Sequence, residues 1–321
     1  MAIRFGRNAF VNLSDAESTY GDSGGLSFNV YSKIYSCTLS KSVERTQKTF
    51  LTTSDAGFSR GFFDVQTNCG GSVEVPLMYD GIGLWFHYAT GATPVTSGGG
   101  PYTHAYKPTI PLPSFQIKFQ RGSGSMEQFK GCMVSTMSIS CATGEEAKVS
   151  FEIIAQDANN RVGAITPTFG SGAQVFHHQA DASALRFTPS GSPLEQYTLR
   201  SFEFNLDNKL EDRRKLGSLL TESPDTNDIR EVRLSCVADL EDNLIYNHQI
   251  AGTQGLVVVH FSSGADEFQI ELKNAVLLSY EDNVTSVGRV ERTFEFQGYS
   301  DSSNEAFEIT CINGSASPTA N

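Results

Sequence analysis

The sequence lacks the motifs that mark several common enzyme families. It has no phosphate-binding loop ending in Gly-Lys-Ser or Gly-Lys-Thr and no His-Glu-x-x-His zinc motif. Gly81-Ile82-Gly83 is not followed by the third glycine of a dinucleotide-binding fingerprint and leads instead to Trp85. We therefore expect a protein that is not an enzyme and that uses no cofactor or metal.

Long runs of one residue class are also missing. No stretch reaches the roughly 18 apolar residues that a membrane-spanning helix needs, so we expect no membrane segment. Residues 1–7 lack the apolar core of a signal peptide, which predicts synthesis in the cytoplasm of the cell that makes the protein. No Lys/Arg run is longer than Arg213-Arg214-Lys215, and the formal net charge is −12, so tight binding to a phosphate backbone is disfavoured.

Cysteine and histidine are scarce and scattered. There are 6 cysteines and no Cys-x-x-Cys pair, which favours reduced, buried thiols over disulfides or a zinc site. His177 and His178 are adjacent, and adjacent strand residues point to opposite faces, so a loop pair is favoured over a metal site. The acidic group Asp239, Glu241 and Asp242 could hold calcium, but its position before an apolar run favours a helix start.

The pattern that is present is β-strand alternation. Phe115, Ile117 and Phe119 alternate with polar residues, and after a glycine-rich loop the same period continues through residues 133–141. Thr143-Gly144-Glu145 is a turn signal, and Val149 to Ala155 resumes the alternation. These spacings predict an antiparallel unit over residues 102–157.

A similar unit follows near the C-terminus. Phe115-Gln116-Ile117 returns as Phe268-Gln269-Ile270, and Ser150-Phe151-Glu152-Ile153 returns as Thr293-Phe294-Glu295-Phe296. A short helix-like run that ends at a glycine precedes each copy, at 80–91 and at 242–252. This order predicts an internal duplication, with Phe115, Ile117, Phe151, Phe268, Ile270 and Phe294 buried at equivalent places.

The fold class that these signals predict is all-β, with short helices and two tandem antiparallel β-sandwich or barrel domains. The N-terminal domain is expected over residues 1–165 with an N-terminal arm, and the C-terminal domain over 194–321. A linker rich in small residues is expected over 166–193. A charged segment follows the first strand of each half, at 41–48 and 207–215. These segments predict either solvated hairpins or protrusions that contact a neighbouring subunit.

Four short runs in the first half resemble the tail tube (major tail) proteins of tailed bacteriophages. They are Leu84-Trp85-Phe86-His87-Tyr88-Ala89-Thr90-Gly91-Ala92, Tyr102-Thr103-His104-Ala105-Tyr106, Leu112-Pro113-Ser114-Phe115-Gln116-Ile117 and Phe129-Lys130-Gly131-Cys132-Met133-Val134. The resemblance covers about residues 60–157 and extends to the second half through the repeat. It implies two tandem tail-tube domains.

The resemblance implies a structural protein of the virion, made in the bacterial host cytoplasm. Such subunits form hexameric rings that stack into a hollow tube, and double-stranded DNA passes through the tube without specific binding. The implied partners are further copies of the chain and the tail tape-measure, tail-terminator and baseplate or tip proteins. A ring of six two-domain subunits would look twelvefold from inside.

Two sets of residues are candidates for these roles. The candidate contacts between rings are Lys41, Glu44, Arg45, Lys48, Glu211, Asp212, Arg213, Arg214 and Lys215. The candidate acids of the inner wall are Glu152, Glu271 and Glu295. A carbohydrate-binding or hydrolysing β-sandwich is the main alternative, because 36 acids offer many carboxylate pairs, and a monomeric immunoglobulin-like decoration module is another. Trp85 is expected in the core, which counts against an exposed aromatic sugar platform.

Overall fold

The fold is mostly β, with 21 strands and two short helices among the described residues. The computed structural model describes residues 8–22, 24–47, 61–122, 125–159, 165–167, 169, 174–178, 185–283 and 290–318. The strands of the first half are β1 Phe10–Ser14, β2 Phe28–Ser32, β3 Ser36–Cys37, β4 Ser40–Gln47, β5 Phe62–Pro76, β6 Val95–Ser97, β7 Tyr102–Tyr106, β8 Phe115–Gln120, β9 Met126–Ala142, β10 Lys148–Ala155 and β11 Asp157–Ala158. Those of the second half are β12 Leu185–Pro189, β13 Glu195–Tyr197, β14 Leu199–Asp207, β15 Leu210–Glu211, β16 Asp225–Thr226, β17 Glu231–Asp239, β18 Gln254–Ser263, β19 Asp266–Asn283, β20 Glu291–Gly298 and β21 Glu308–Asn313. The helices are α1 Gly83–Thr90 and α2 Leu244–Ala251.

All pairings between these strands are antiparallel, and the two halves share one pattern of neighbours. In the first half the order is β4–β5–β10–β9, and β9 continues to β8, β1 and β2. In the second half the order is β14–β17–β20–β19, and β19 continues to β18, β12 and β13. Each helix lies between the equivalent strands, α1 after β5 and α2 after β17. The chain therefore contains two equivalent β units, which we call the first and second unit.

A shared β-bulge fixes the correspondence residue by residue. The register between β9 and β10 shifts at Glu152/Ile153, and that between β19 and β20 shifts at the positions opposite Glu295 and Phe296. Glu152 faces Thr136 and Glu295 faces Ser279, so equivalent residues of both strands differ by 143 in number. Phe151 and Phe294 thus occupy equivalent places, as the repeated string predicts.

The other repeated string joins strands that are not equivalent. Phe115-Gln116-Ile117 lies in β8, the inner neighbour of β9, whereas Phe268-Gln269-Ile270 lies in the first part of β19. The strand equivalent to β8 is β18, which reads Leu256-Val257-Val258-Val259 at its centre. The prediction that these phenylalanines are buried is confirmed, but the prediction that they occupy equivalent places is wrong. Any buried β-strand favours alternating aromatic and aliphatic residues, so a three-residue match does not identify a strand.

Strand β9 begins earlier than the alternation predicts and serves two sheets. Met126 to Cys132 pairs with β8, and the remainder pairs with β10 and β14. Gly131 lies at this change of partner with a φ of 60°, and a Cβ there would meet the side chains of Gln156 at 2.9 Å and Tyr20 at 3.0 Å. This glycine therefore allows a long strand to bend between two sheets.

Two strand pairings join the units within the described part of the chain. Strand β14 of the second unit pairs with β9 of the first, and β21 near the C-terminus pairs with β7. The small and polar residues from Asn313 to Asn321 predict a disordered tail, but contacts with β7 hold part of this segment. The hydroxyl of Tyr106 donates to the carbonyl of Pro318 at 2.9 Å, and His104 lies 2.9 Å from the carbonyl of Ser315. The prediction of disorder is wrong for residues 313–318.

Aromatic side chains fill the core on one side of the shared sheet. Trp85 is fully buried, as predicted, and its ring stacks on Phe151 with centroids 4.6 Å apart. The indole N–H donates to Ser32 Oγ at 2.9 Å, so the one polar atom of the side chain keeps a partner in the core. Phe294, the residue of the second unit that corresponds to Phe151, is also fully buried.

The helices begin and end close to where the sequence places them. Gly91 and Gly252 follow their last residues, as predicted, and their N–H groups bond to helix carbonyls. Asp242 accepts the N–H of Leu244 at 3.0 Å, which agrees with the helix-start interpretation of the acidic group.

Residues 166–193, the predicted linker, contain β12, which pairs with β18. The domain limits remain a prediction.

Candidate functional site

The most extensive polar feature of the described residues is one face of the sheet that crosses both units. Directly opposed residues of neighbouring strands share a face, so the pairing registers define it. One row runs Ser72, Glu152, Thr136, Asp207, Glu231; the next runs Glu74, Ser150, Ser138, Asn205, Arg233, Gln297; the third runs Lys148, Ser140, Glu203, Ser235, Glu295, Ser279. We call these three rows the polar face.

The polar face is uncovered, whereas the other side of the same strands is the core. None of its residues is buried, and none is aromatic. The alternate residues Phe151, Ile139, Phe204, Leu234 and Phe296 are each at most 1% exposed. Alternation of period two thus gives the sheet a bare polar side and a packed apolar side.

Carboxylates outnumber cations on and around the polar face. Nine acids lie on it or at its end, namely Glu74, Glu152, Glu203, Asp207, Glu231, Asp239, Glu281, Glu291 and Glu295. Four cations lie among them, namely Lys148, Arg200, Lys209 and Arg233.

Ion pairs across strands hold several of these acids in place. Arg200 lies 2.7 Å from both Asp239 and Glu291, and Arg233 lies 3.2 Å from Glu295. These pairs link β14, β17 and β20, and because they are exposed each contributes at most about 1 kcal/mol. They leave a surplus of negative charge on the face.

The predicted inner-wall acids do not all lie together. Glu152 and Glu295 share the polar face, at equivalent positions of the two units. Glu271 lies on the first part of β19, opposite Val258 of β18 and Glu308 of β21. Burial, followed by the negative charge of Glu308, raises the pKa of Glu271 above its ordinary value, against the opposing influence of Lys273.

The predicted contact segment at 41–48 is an exposed strand. Lys41, Glu44 and Arg45 lie on β4, which pairs with the first part of β5 to form a hairpin arm. Arg45 lies 2.7 Å from Asp64 across the arm, and Lys41 lies 2.5 Å from Asp157. Lys48 lies outside the described residues. Phe62 and Phe63 at the start of β5 are 64% and 49% exposed, so the arm carries apolar as well as charged side chains into solvent.

The second predicted contact segment, 211–215, packs partly on the first unit. Arg214 donates to the carbonyl of Thr67 and to Asn68 Oδ1 of β5, both at 3.0 Å, and it also pairs with Asp212. Arg213 is exposed and lies 3.9 Å from Asp225, and Lys215 pairs with Glu222. Glu211 lies on β15, opposite Asp225.

Residues that the sequence did not single out join the two units. Asn208 is fully buried, and its Nδ2 donates to the carbonyls of Ala89 in α1 at 3.0 Å and Val134 in β9 at 2.9 Å. Arg230 donates to the carbonyl of Thr109 at 2.9 Å, and burial lowers its pKa to about 10. Asp207-Asn208-Lys209 resembles a surface turn, so no sequence signal indicates that Asn208 points inwards.

The described residues contain neither a metal-ligand cluster nor a membrane-spanning helix. No group of three or more His, Cys, Asp or Glu side chains is placed to hold a metal ion there. None of the helices is long and apolar enough to cross a membrane.

Residues 6–298 match the model of a protein family described as phage tail tube protein. No curated protein matches the sequence.

Proposed function

The chain belongs to the phage tail tube protein family, and from this premise we propose that it polymerises as stacked rings into a hollow tube that conducts genomic DNA during ejection. Membership of the family makes it a structural protein of the phage tail and hence of the virion. The rings, the tube and the passage of DNA are the parts that we propose.

The observation that carries the proposal is the sheet that crosses both units, with one side bare and acidic. Closing such a sheet on itself pairs its exposed edges, which are otherwise sites of aggregation. The apolar side of the sheet is already covered by a second layer of strands and by the helices. In a closed ring there is more room for such a second layer on the outside, where the circumference is larger, than on the inside. We therefore place the polar face on the inner wall.

The charge of the polar face suits the passage of DNA. Duplex DNA carries about one negative charge per 1.7 Å of axis, so an attractive wall repeated over many rings would hold the genome. Acids exceed bases by nine to four on and around the face, and the remaining side chains there are mostly small and polar. Glu152 and Glu295 are the inner-wall acids that we propose.

The family resemblance predicts rings of six chains. Because each chain holds two β units, a ring of six units, and therefore of three chains, is a second possibility to test. Each chain supplies two equivalent β units, already paired side by side through β9 and β14. A ring of six units would need three chains, and a ring of six chains would hold twelve units. The mass of an isolated ring, as a multiple of 34.9 kDa, decides between the two.

Contacts between rings, and with the tape-measure, terminator and baseplate proteins, belong to the same proposal. The hairpin arm, with Glu44 and Arg45, and the segment from Glu211 to Lys215 are the surfaces we propose for stacking. Arg213 and Lys215 extend into solvent, with side chains 53% and 70% exposed, and so can reach a neighbour.

Electron microscopy with sedimentation tests the proposal. Purified protein at high concentration, with and without tail initiator proteins, should form rings or tubes of uniform diameter in negative stain. A compact 34.9 kDa monomer under all these conditions would contradict it. For DNA passage, Glu152→Lys with Glu295→Lys should slow ejection from complete particles more at low salt than at high salt.

The carbohydrate-binding alternative gains no support from the polar face. Sugar platforms use exposed aromatic rings, and the three rows contain none. A glycan-binding screen in which the monomeric protein binds an oligosaccharide would restore this alternative.

A further inference from the structure

The junction between the two units is a template for a junction between two chains. Within the chain, β14 lies antiparallel to β9, with Asn205 opposite Ser138 and Leu206 opposite Met137. The N–H of Asn208 extends the ladder to the carbonyl of Ser135 at 2.9 Å. Because the units are equivalent, each strand of this junction has a counterpart at the far side of the other unit.

The counterpart of β14 is the segment from Cys37 through the start of β4. Phe202 faces Cys236, which faces Phe294, and Cys37 faces Val73, which faces the equivalent Phe151. Ser40 and Lys41 follow Cys37 by the same steps as Asn205 and Leu206 follow Phe202. Residues 37–43 therefore occupy, in the first unit, the place that β14 occupies in the second.

The counterpart of the β9 edge is the last part of β19. Met137 faces Phe151 and Tyr280 faces Phe294, so Tyr280 corresponds to Met137 and Glu281 to Ser138. Within the described part of the chain, residues 277–283 pair with β20 alone, and β3 and β4 pair with β5 alone. The chain therefore pairs β9 with β14 once, while the equivalent edges, residues 277–283 and 37–43, have no strand neighbour on their outer side within the described part of the chain.

The helix next to each edge shows the same contrast. All of α1 except His87 is buried, and residues of the second unit help to cover it: Asn208 bonds to Ala89, and Phe268 stacks on Phe86 with ring centroids 5.8 Å apart. In α2 only Ile245 is buried.

The exposed side chains of α2 adjoin the open edge of β19. Tyr246 and Ile250 are four residues apart, so they share a helix face, and they are 46% and 70% exposed. The ring of Tyr246 lies 5.8 Å from that of Tyr280 on β19, where Leu278 is also 43% exposed. The second unit therefore presents an apolar surface where the first unit is covered.

We propose that residues 277–283 of β19, together with the exposed face of α2, bind the edge formed by residues 37–43 of a second copy of this chain. The register is that of β9 with β14: Ser40 lies opposite Glu281 of the other copy, Lys41 opposite Tyr280, and Ser42 opposite Ser279. This interface rests on the proposed function and makes the β4 edge a contact within a ring. Lys41, a candidate for contact between stacked rings, would then contact the neighbouring chain of the same ring.

The sheet geometry agrees with this register. Ser40 faces Gly70, which faces Ile154, and Glu281 faces Thr293, so Ser40 and Glu281 both lie on the polar side of their sheets. The pairing therefore continues the polar face from one copy to the next. Arg121 donates to the carbonyl of Leu39 at this edge, and a carbonyl oxygen has two lone pairs, so that contact leaves room for a ladder bond.

Charge on the two edges is also complementary. The β19 edge carries Glu281 and Asp282, both exposed, whereas the β4 edge carries Lys41 and Arg45. In the proposed register Lys41 faces Tyr280, so Asp282 lies diagonally next to it on the same side of the sheet, whereas Glu281 lies on the polar side with Ser40. Cations and acids in such positions on neighbouring strands attract one another.

Cysteine cross-linking in assembled protein tests the register. Ser40→Cys with Glu281→Cys, in the full chain with Cys37→Ser, should give disulfide-linked ladders of chains when rings or tubes are treated with oxidised glutathione. The matched control is Ser40→Cys with Asp282→Cys, a slip of one residue that places the two thiols on opposite faces. It should give few or no ladders.

The outcomes separate this inference from the proposed function. Rings or tubes that form normally without cross-linking through 40 and 281, or that cross-link equally in the slipped control, would overturn the edge pairing and leave the tube intact. If unmodified protein forms no ring or tube at all, the proposed function itself fails.

A surface variant gives an independent measurement. Ile250→Glu should raise the protein concentration needed for assembly about tenfold or more, which corresponds to about 1.4 kcal/mol per junction. Val95→Glu is the control, because Val95 is 63% exposed on β6, away from both edges. Circular dichroism should show both variants folded, and equal assembly of the two would count against the interface.

Discussion

The side chain of Asn208 offers a direct measure of how strongly the two units are coupled. It is fully buried, and its two amide hydrogens go to carbonyls of the first unit, on Ala89 and Val134. In the isolated chain its Oδ1 is buried without a hydrogen-bond partner. Asn208→Ala therefore removes two good hydrogen bonds together with one unsatisfied acceptor.

The expected cost follows from these contacts. Leaving a buried carbonyl without its donor costs about 1–3 kcal/mol, so two carbonyls give about 2–6 kcal/mol. Removal of the unsatisfied Oδ1 returns about 1–2 kcal/mol on the same scale. We expect Asn208→Ala to lower the free energy of unfolding by about 1–4 kcal/mol, because it weakens the contact of the second unit with α1 and β9.

The assay is urea unfolding followed by circular dichroism and tryptophan fluorescence. Trp85 is the only tryptophan and lies in the first unit, so fluorescence reports that unit alone. Wild type should unfold with both probes together, and Asn208→Ala should shift the midpoint to lower urea. Asn205→Ala is the matched control, since Asn205 lies three residues earlier on the polar face, and it should change stability by less than about 0.5 kcal/mol. Equal effects of the two substitutions would refute the assigned role of Asn208.

Three further predictions concern other parts of the molecule. Phe151→Ala and Phe294→Ala should each cost about 3–5 kcal/mol in thermal or urea melts, whereas Phe63→Ala at an exposed position should cost far less; unchanged melts for the first two would contradict the strand register. Arg214→Glu should destabilise the monomer because it breaks the contacts with Thr67 and Asn68. Arg213→Glu with Lys215→Glu should leave the monomer stable and reduce the stacking of rings. Normal tubes of this double variant in electron microscopy would contradict the proposed stacking surface. Folding raises the pKa of Glu271, so the protonated carboxyl favours the folded state, and this contribution to stability is lost as the pH rises above the ordinary pKa of 4.5. Glu271→Gln should therefore be more stable than wild type at pH 7 and equally stable well below pH 4.5. A difference in stability that is the same at both pH values would contradict the effect of burial.

Local pattern predicted the elements of the fold well. Alternation over 115–119 and 149–155 corresponds to β8 and β10, and the glycines at 91 and 252 do end the helices. Such signals depend on residues close in sequence, where period and turn chemistry suffice. The all-β class and the tail tube family followed from these elements and from the short runs around Trp85.

The arrangement of the elements was less accessible, because strand pairing joins distant residues. The equivalence of Phe115 with Phe268 failed since a string of three residues fits any buried strand. The alternation over residues 133–141 predicts the later part of β9, but it does not show that the strand begins at Met126 and bends between two sheets at Gly131, where φ is positive. Asn208 and Arg214 sit in charged, turn-like segments, and only the packing of the second unit on the first reveals that they are held there.

The pairing of β7 with β21 has a consequence for the order in which the protein acquires its structure on the ribosome. Tyr102 lies opposite Asn313, so β7 lacks this neighbour until residues 308–313 have been made. At about 5–20 residues per second, the interval between synthesis of these two residues is about 10–40 s. During that time the β6–β7 hairpin exposes an unpaired edge, which is where nascent chains of this protein can associate wrongly. The synthesis of β21 closes that edge, and this site of wrong association is lost only when that distant strand has been made.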